Sequence, residues 1–180
     1  MDDDESSASI EIRVERITQL FDTLDPFPVP QRDLANNIED YVVGWARELP
    51  AQQSIKIVVH LPSAEATDQT TKQLGDAFSA FFRERAKRSR LNLKELFRVG
   101  RWSLLIGLTV LAVCLALGQF IGRLFGQGFL GQFSNESLIL LAWVANWRPI
   151  EIFLYDWLPL LRRRNLYRRL SAAIVIVKAF

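Results

Sequence analysis

The chain has 180 residues, of which 49% are hydrophobic and 23% charged, and its formal net charge is +2. Residues 1–79 hold 6 basic and 15 acidic side chains, whereas residues 80–180 hold 16 basic and 5 acidic ones. The single cysteine, Cys114, excludes an internal disulfide and a cysteine-ligated zinc cluster. This length leaves room for one small α/β domain beside two apolar segments.

The chain begins with a predicted disordered acidic segment, residues 1–8, followed by a predicted cytoplasmic α/β domain, residues 9–90. Ile10, Ile12 and Val14 alternate with charged residues. This period-two pattern is typical of a strand that is buried on one face. We therefore expect the domain to begin with a strand.

Further elements are predicted in the same domain. Asp33 suits a helix N-cap, and apolar residues follow at helical spacing until Pro50 ends the run. Alternating apolar residues predict a second strand over 55–61, and an amphipathic helix is predicted to start near Ser63. Asn92 opens a capping-box pattern, which predicts a separate helix from that point.

An uncharged stretch of 21 residues, 102–122, follows directly after Arg101. A helix needs about this length to cross the roughly 30 Å of bilayer hydrocarbon at about 1.5 Å per residue. We predict a transmembrane helix here, preceded by an amphipathic lead-in helix over 91–101. Arg98, Arg101 and Trp102 are predicted to anchor it at the membrane interface.

A second apolar segment, residues 137–161, is predicted to cross back after a short external loop, residues 123–136. Gly118 and Gly122 in the first helix are four residues apart, a spacing that lets two helices approach closely. Fraying of the helix near the loop explains the same pattern equally well. Asn135 is predicted to cap the second helix rather than to be glycosylated.

Three charges and two prolines interrupt the second segment. The apolar side chains of 138–161 contribute on the order of −5 kcal/mol to insertion, and each central charge costs ~3 kcal/mol. Arg148 and Glu151 are three residues apart and are predicted to form an intramembrane polar pair, either an ion path or a salt bridge that sets helix register. Pro149 is predicted to kink the helix, and Asp156 is expected near the headgroups, beside the arginines that follow.

The last segment, residues 162–180, is basic and then β-branched. Residues 173–177 are too short to span a membrane and predict a buried central strand that completes the α/β domain. The predicted fold class is an α/β membrane protein, with a transmembrane helical hairpin inserted into a small cytoplasmic α/β domain of about three strands and two to three helices. The predicted interface anchors at this end are Trp157, Arg162, Arg163 and Arg164.

Basic residues crowd both outer ends of the predicted hairpin, while the loop 123–136 has one charge of each sign. By the positive-inside rule, both termini are predicted to be cytoplasmic and the loop external. The basic residues are interpreted as contacts to membrane lipids, and no nucleic acid is predicted as a partner.

Candidate catalytic and metal-binding residues are few. His60 is the only histidine and is interpreted as a polar residue on the second face of the sheet. The acidic stretch from Asp22 to Asp40, which includes Glu39, lacks the spacing of a calcium loop and is interpreted as a solvated face. No phosphate-binding loop, nucleophile elbow or dinucleotide motif is present. We therefore predict no catalytic residue, no metal, no cofactor and no enzymatic activity.

The segment from Trp147 to Trp157 has the sequence Trp-Arg-Pro-Ile-Glu-Ile-Phe-Leu-Tyr-Asp-Trp and is followed by an arginine cluster. It resembles a family of uncharacterised bacterial inner-membrane proteins with two transmembrane helices. Residues 39–46, 59–62 and 81–86 are similar to the soluble parts of that family. The resemblance covers nearly the whole chain and implies the bacterial inner membrane and a cytoplasmic α/β portion, but no activity.

Two hypotheses of different classes remain open. The first is an oligomeric membrane protein of structural, regulatory or interaction type, whose cytoplasmic domain docks an unknown protein partner. The second is a small transport or channel component with a polar path around Arg148 and Glu151. It requires several copies, because two helices alone cannot enclose a pore. Both hypotheses predict a homo-oligomer.

Overall fold

The computed structural model describes residues 7–22, 32–50, 53–125 and 128–180. The chain divides into two compact units, one formed by Met1–Ser89 with Arg162–Phe180 and the other by Arg90–Leu161, here called the α/β unit and the helical unit. The elements in chain order are β1 (Ser7–Arg13), a 3₁₀ turn (Ile17–Leu20), α1 (Asn36–Glu48), β2 (Ser54–Leu61), α2 (Asp68–Phe125), α3 (Phe129–Glu151), a π-helical segment (Ile152–Asp156), α4 (Trp157–Ser171) and β3 (Ile174–Ala179).

The three strands form one parallel sheet in the order β1–β2–β3. The prediction of a small sheet of about three strands is confirmed, but the prediction that the last strand is central is wrong. β2 suits the centre because Val58, on the second face of this strand, is apolar and only 5% exposed. β3 instead lies at an edge, where Ile174 is 56% exposed.

Helices α1, α2 and α4 pack on one face of the sheet. The core joins helix side chains such as Val42, Phe78 and Tyr167 to alternate strand residues such as Ile12 and Ile57. The side chains at the intervening strand positions are not part of this core. The described helices therefore cover a single face.

The N-cap of α1 is Ala35 and not Asp33. Leu34 is buried and forms an isolated bridge to Phe21, and the Ala35 N–H donates to Leu20 O at 3.0 Å. The chain before α1 stays extended because the core takes up Leu34, so the helix starts later than the local signal predicts.

Helix α2 begins later than predicted and has no break. Thr67 Oγ1 accepts a hydrogen bond from the Thr70 N–H at 3.1 Å, which is the geometry of an N-cap and explains the start at Asp68. The predicted separate helix over 91–101 is part of α2. No glycine or proline lies between Gly75 and Gly100, so the capping pattern at Asn92 has nothing to interrupt the helix.

The predicted loop over 123–136 is mostly helical, because α2 continues to Phe125 and α3 starts at Phe129. The Phe129 and Phe133 rings stack at 6.1 Å, and Gln132 Nε2 donates to Glu136 Oε1 at 3.3 Å. These pairs are four residues apart and stabilise the first turns of α3. Asn135 therefore lies inside the helix and is not its cap. Of the predicted disordered segment 1–8, residues 1–6 lie outside the described residues, and the last two belong to β1.

Two helices are long and apolar enough to cross a membrane, judged by length and composition alone. They run over Asp68–Leu124 and Gly131–Ser171, and the second includes the π-helical segment. The presence of two such helices agrees with the predicted pair of apolar segments.

Candidate functional site

Glycines of α2 mark its contacts with the second helix of the helical unit. A Cβ atom built on any of three glycines would approach a partner atom more closely than real Cβ atoms do. At these positions only glycine fits without a shift of the neighbouring side chain. The pairs are Gly100–Ile152 Cγ2 (2.8 Å), Gly107–Asn146 Oδ1 (2.6 Å) and Gly118–Asn135 Oδ1 (2.7 Å).

The predicted packing pair, Gly118 and Gly122, is only half engaged within this chain. Gly118 lies against the second helix, whereas a Cβ atom on Gly122 would meet nothing within 4 Å. Gly100 and Gly107 are absent from the predicted face. Their seven-residue spacing continues to Cys114, which is buried, and this heptad repeat is the sequence signal for the contact face.

One amide joins the two helices by hydrogen bonds. Asn146 Nδ2 donates to Gly107 O at 3.1 Å on the facing helix and to Ala142 O at 2.8 Å on its own helix. Between apolar helices, such side-chain hydrogen bonds and close contacts at small residues provide much of the association energy. Asn146 and Gly107 therefore form the polar centre of the helix pair.

The same contacts set the antiparallel register of the helical unit. Arg148 and Glu151 come between the residues that contact Gly107 and Gly100, so they are level with the beginning of the uncharged stretch of α2. The sequence prediction has them near the middle of a segment 137–161. In the structure Glu151 is the last residue of α3 and Arg148 lies one turn before it.

Arg148 is the centre of an ion cluster with two carboxylates. Its Nη1 lies 2.9 Å from Glu151 Oε2 and 3.3 Å from Asp156 Oδ2, and the three side chains are 61%, 43% and 31% exposed. The predicted contact between Arg148 and Glu151 is present. Asp156, expected beside the following arginines, contacts Arg148 instead.

The π-helical segment brings Asp156 toward Arg148. Pro149 lies inside α3, and the Ile152 N–H is shared between Arg148 O and Pro149 O where the π-helical turns begin. Trp157, a predicted interface anchor, donates its indole N–H to Phe153 O at 3.0 Å. The wider π-helical turns are a common feature of functional helix sites.

The other predicted anchors flank these helices. Arg98 contacts Glu95 at 3.1 Å, and a cavity of about 190 Å³ is lined by Arg98, Arg101, Trp102 and Leu105. Trp102 is 65% exposed. In α4, Arg162 is exposed, Arg163 donates to Tyr167 Oη at 3.1 Å and Arg164 donates to Asn165 Oδ1 at 3.1 Å.

A buried charge network lies in the α/β unit. Glu39 is 8% exposed, forms an ion pair with Arg85 and accepts a hydrogen bond from Tyr167 Oη at 3.1 Å. The interpretation of the acidic stretch as fully solvated is therefore wrong at this residue. The network joins α1, α2 and α4, and the Arg85 guanidinium also lies 4.9 Å from the centre of the Phe81 ring.

The second face of the sheet, here called the open face, presents a mixture of charged and apolar side chains. It consists of three rows across β1, β2 and β3, which are Ser9–Lys56–Ile174, Glu11–Val58–Ile176 and Arg13–His60–Lys178. The interpretation of His60 as a residue of this face is confirmed. His60 Nε2 lies 3.6 Å from Glu11 Oε2, and the Arg13 guanidinium lies 4.3 Å from the centre of the Phe180 ring.

Among the described residues, no group of three or more His, Cys, Asp or Glu side chains could hold a metal ion. No protein-family model, curated protein or solved structure matches this chain.

Proposed function

We propose that the chain is an integral protein of the bacterial inner membrane, without catalytic activity, that acts as an oligomer and docks a protein surface on its α/β unit. Both termini are cytoplasmic in this proposal. The α/β unit is the interaction module, and the helical unit is its membrane anchor.

The membrane part of the proposal is supported by exposed apolar surface. Only 17% of the most apolar window of each long helix is buried, whereas a core helix of a soluble protein is mostly buried. The exposed residues include Leu105, Leu108, Val113 and Phe120 on α2, and Leu140 and Val144 on α3. Water solvates such a surface poorly, and lipid solvates it well.

One observation carries the interaction part, namely that the described helices pack on a single face of a parallel sheet. Parallel sheets occur almost only with both faces covered, because their connections place helices on the faces. Here the open face retains apolar side chains, Val58, Ile174 and Ile176, among charged ones. A docked protein surface supplies a layer on the face that the described helices leave uncovered.

A transport role around Arg148 and Glu151 has less support. The register of the helix pair makes the cluster level with the start of the uncharged stretch of α2, close to Arg101 and Trp102. At such a depth, long charged side chains reach the interface and line no path through the hydrocarbon. In this proposal the cluster helps to position the helical unit at the membrane interface.

The test is purification of the full chain in a mild detergent, with mass measurement of the intact complex. We expect retention in the membrane fraction after an alkaline wash and a mass that is a defined multiple of 20.6 kDa. Release by the alkaline wash would contradict the membrane anchor. A monomer without any associated protein would contradict the interaction role.

A further inference from the structure

The open face has a complementary surface elsewhere on the same chain. Helix α1 carries an exposed face, here called the α1 outer face, beside the side that packs in the core. Its residues are Asn37, Asp40, Tyr41, Gly44, Trp45, Arg47 and Glu48, all exposed. The Tyr41 hydroxyl donates to Glu11 O of β1 at 3.2 Å.

The centre of the α1 outer face is aromatic. Tyr41 and Trp45 are 44% and 49% exposed, and their rings form an edge-to-face pair at 6.3 Å. Gly44 has no side chain, and a Cβ atom there would meet nothing within 4 Å, so the helix surface beside the two rings is open. Exposed tryptophan and tyrosine side chains on a rigid element are the usual anchors of protein interfaces.

The net charges of the two surfaces are opposite. The α1 outer face carries Asp40 and Glu48 against Arg47, whereas the open face carries Arg13, Lys56 and Lys178 against Glu11. Both surfaces also have an apolar part, because the aromatic pair of the helix has aliphatic counterparts in Ile174, which is 56% exposed, and the half-buried Ile176 of the open face. Opposed potentials of this kind favour one partner and one orientation.

We propose that the open face of one copy binds the α1 outer face of a second copy, so that the second copy supplies a helix layer on the face that the described helices leave uncovered. This inference rests on the proposed function and names the partner as the chain itself. The contact cannot form within one chain, because α1 packs on the covered face of its own sheet. The two surfaces lie on opposite sides of the α/β unit, because α1 packs on the covered face of the sheet. Two copies cannot engage both contacts at once, so the assembly is a ring or a filament and not a two-fold dimer.

The experiment uses two full-length charge-reversal variants in mild detergent. The helix-face variant carries Asp40→Lys with Glu48→Lys, and the sheet-face variant carries Arg13→Glu with Lys178→Glu. Each places like charges across the contact, and we expect at least about a hundredfold loss of the association constant. A matched control reverses two exposed charges one helical turn apart on α2, Lys72→Glu with Asp76→Lys, and keeps the mass of the parent complex.

Mixing tests the pairing directly. The reversed charges of one variant are complementary to those of the other, so the mixture is expected to form complexes that contain both variants. Trp45→Ala is an independent test, since it removes an exposed anchor without touching the core, and it is expected to lower the oligomer mass. Circular dichroism of each variant checks that it is folded.

Three results would overturn the inference. If both variants keep the mass of the parent complex, the contact is wrong, while the oligomer of the proposed function stands. If the mixed variants stay apart, the two surfaces are not partners. If the parent is a monomer bound to a different protein that only the sheet-face variant releases, the open face belongs to that protein, and the interaction role stands without self-assembly.

Discussion

Gly107 shows how a missing side chain determines the contact between two helices. A side chain at this position would displace the Asn146 amide, which is held by two hydrogen bonds. The carbonyl oxygen of Ala145 is also close, 3.2 Å from where a Cβ atom would be. The neighbourhood therefore has little freedom to adapt.

We expect Gly107→Ala to be less stable in detergent than Gly122→Ala by about 1–3 kcal/mol, the cost of broken hydrogen bonds at a buried amide. Both changes gain the same helix propensity, so the comparison isolates the contact. The measurement is thermal unfolding followed by circular dichroism. Equal stability of the two variants would mean that α3 does not approach α2 at Gly107.

Glu39 and Tyr167 provide the second prediction at this scale. Glu39→Ala leaves Arg85 without its carboxylate partner, and we expect a loss of about 3 kcal/mol or more in the free energy of unfolding. Tyr167→Phe removes one hydrogen bond and keeps the ring beside Phe82, so about 1 kcal/mol is expected. Glu84→Ala, which breaks only exposed ion pairs, is the control and is expected to cost less than about 1 kcal/mol.

The position and burial of some residues can be predicted from the sequence, and those of others cannot. The place of His60 on the second sheet face follows from strand alternation and is confirmed. The burial of Glu39 does not follow, because it depends on an arginine 46 residues away and a tyrosine 128 residues away. Local periodicity holds no information about such distant partners. The same holds for the contact between Arg148 and Asp156, which needs the π-helical turns.

At the scale of elements, the position of α3 changes what is expected of Arg148 and Glu151. A pair buried mid-membrane would make each single alanine variant lose about 3 kcal/mol or more. The exposed cluster, level with the beginning of the uncharged stretch of α2, predicts about 1 kcal/mol or less for Arg148→Ala and for Glu151→Ala. Thermal stability in detergent distinguishes these cases. A severe loss of stability in both variants would show that Arg148 and Glu151 form a buried pair.

Element boundaries were less predictable than element types. The strand patterns, α1 and both apolar helices follow from hydrophobic periodicity. The capping patterns at Asn92 and Asn135 mislead because a cap ends or starts a helix only where the flanking chain leaves helical geometry. Nothing in the flanking sequence forces the chain to leave helical geometry at either asparagine. The N-cap at Thr67 shows the opposite case, since a turn precedes it.

Strand β3 lies far from β1 and β2 in sequence, but its removal is expected to destabilise both. Deleting residues 173–180 removes the pairing of Val175 with Ile57 and exposes one edge of β2. We expect faster proteolysis of residues 9–90 in the truncated chain. Lys178→Ala, which keeps the strand, is the control. Unchanged protease resistance after the deletion would show that the α/β unit folds without β3.

At the scale of the whole molecule, the sheet constrains the path of the chain. β1 and β2 precede the helical unit in sequence and β3 follows it, but all three pair in one sheet. If the helical unit crosses a membrane, as proposed, the chain must return to the side of the membrane from which it left. This requires an even number of crossings, which two long apolar helices satisfy.

The topological prediction follows from this constraint and from charge. Reporter fusions at the N-terminus and after Phe180 are expected to give the same signal, because β1 and β3 belong to one sheet. That signal is expected to be cytoplasmic, since basic residues crowd the outer ends of the two apolar helices. A fusion at Gly128, between α2 and α3, is expected to report the outside. An external signal after Phe180 alone would be incompatible with the sheet, whereas reversal of all three signals would keep the sheet and overturn the charge argument.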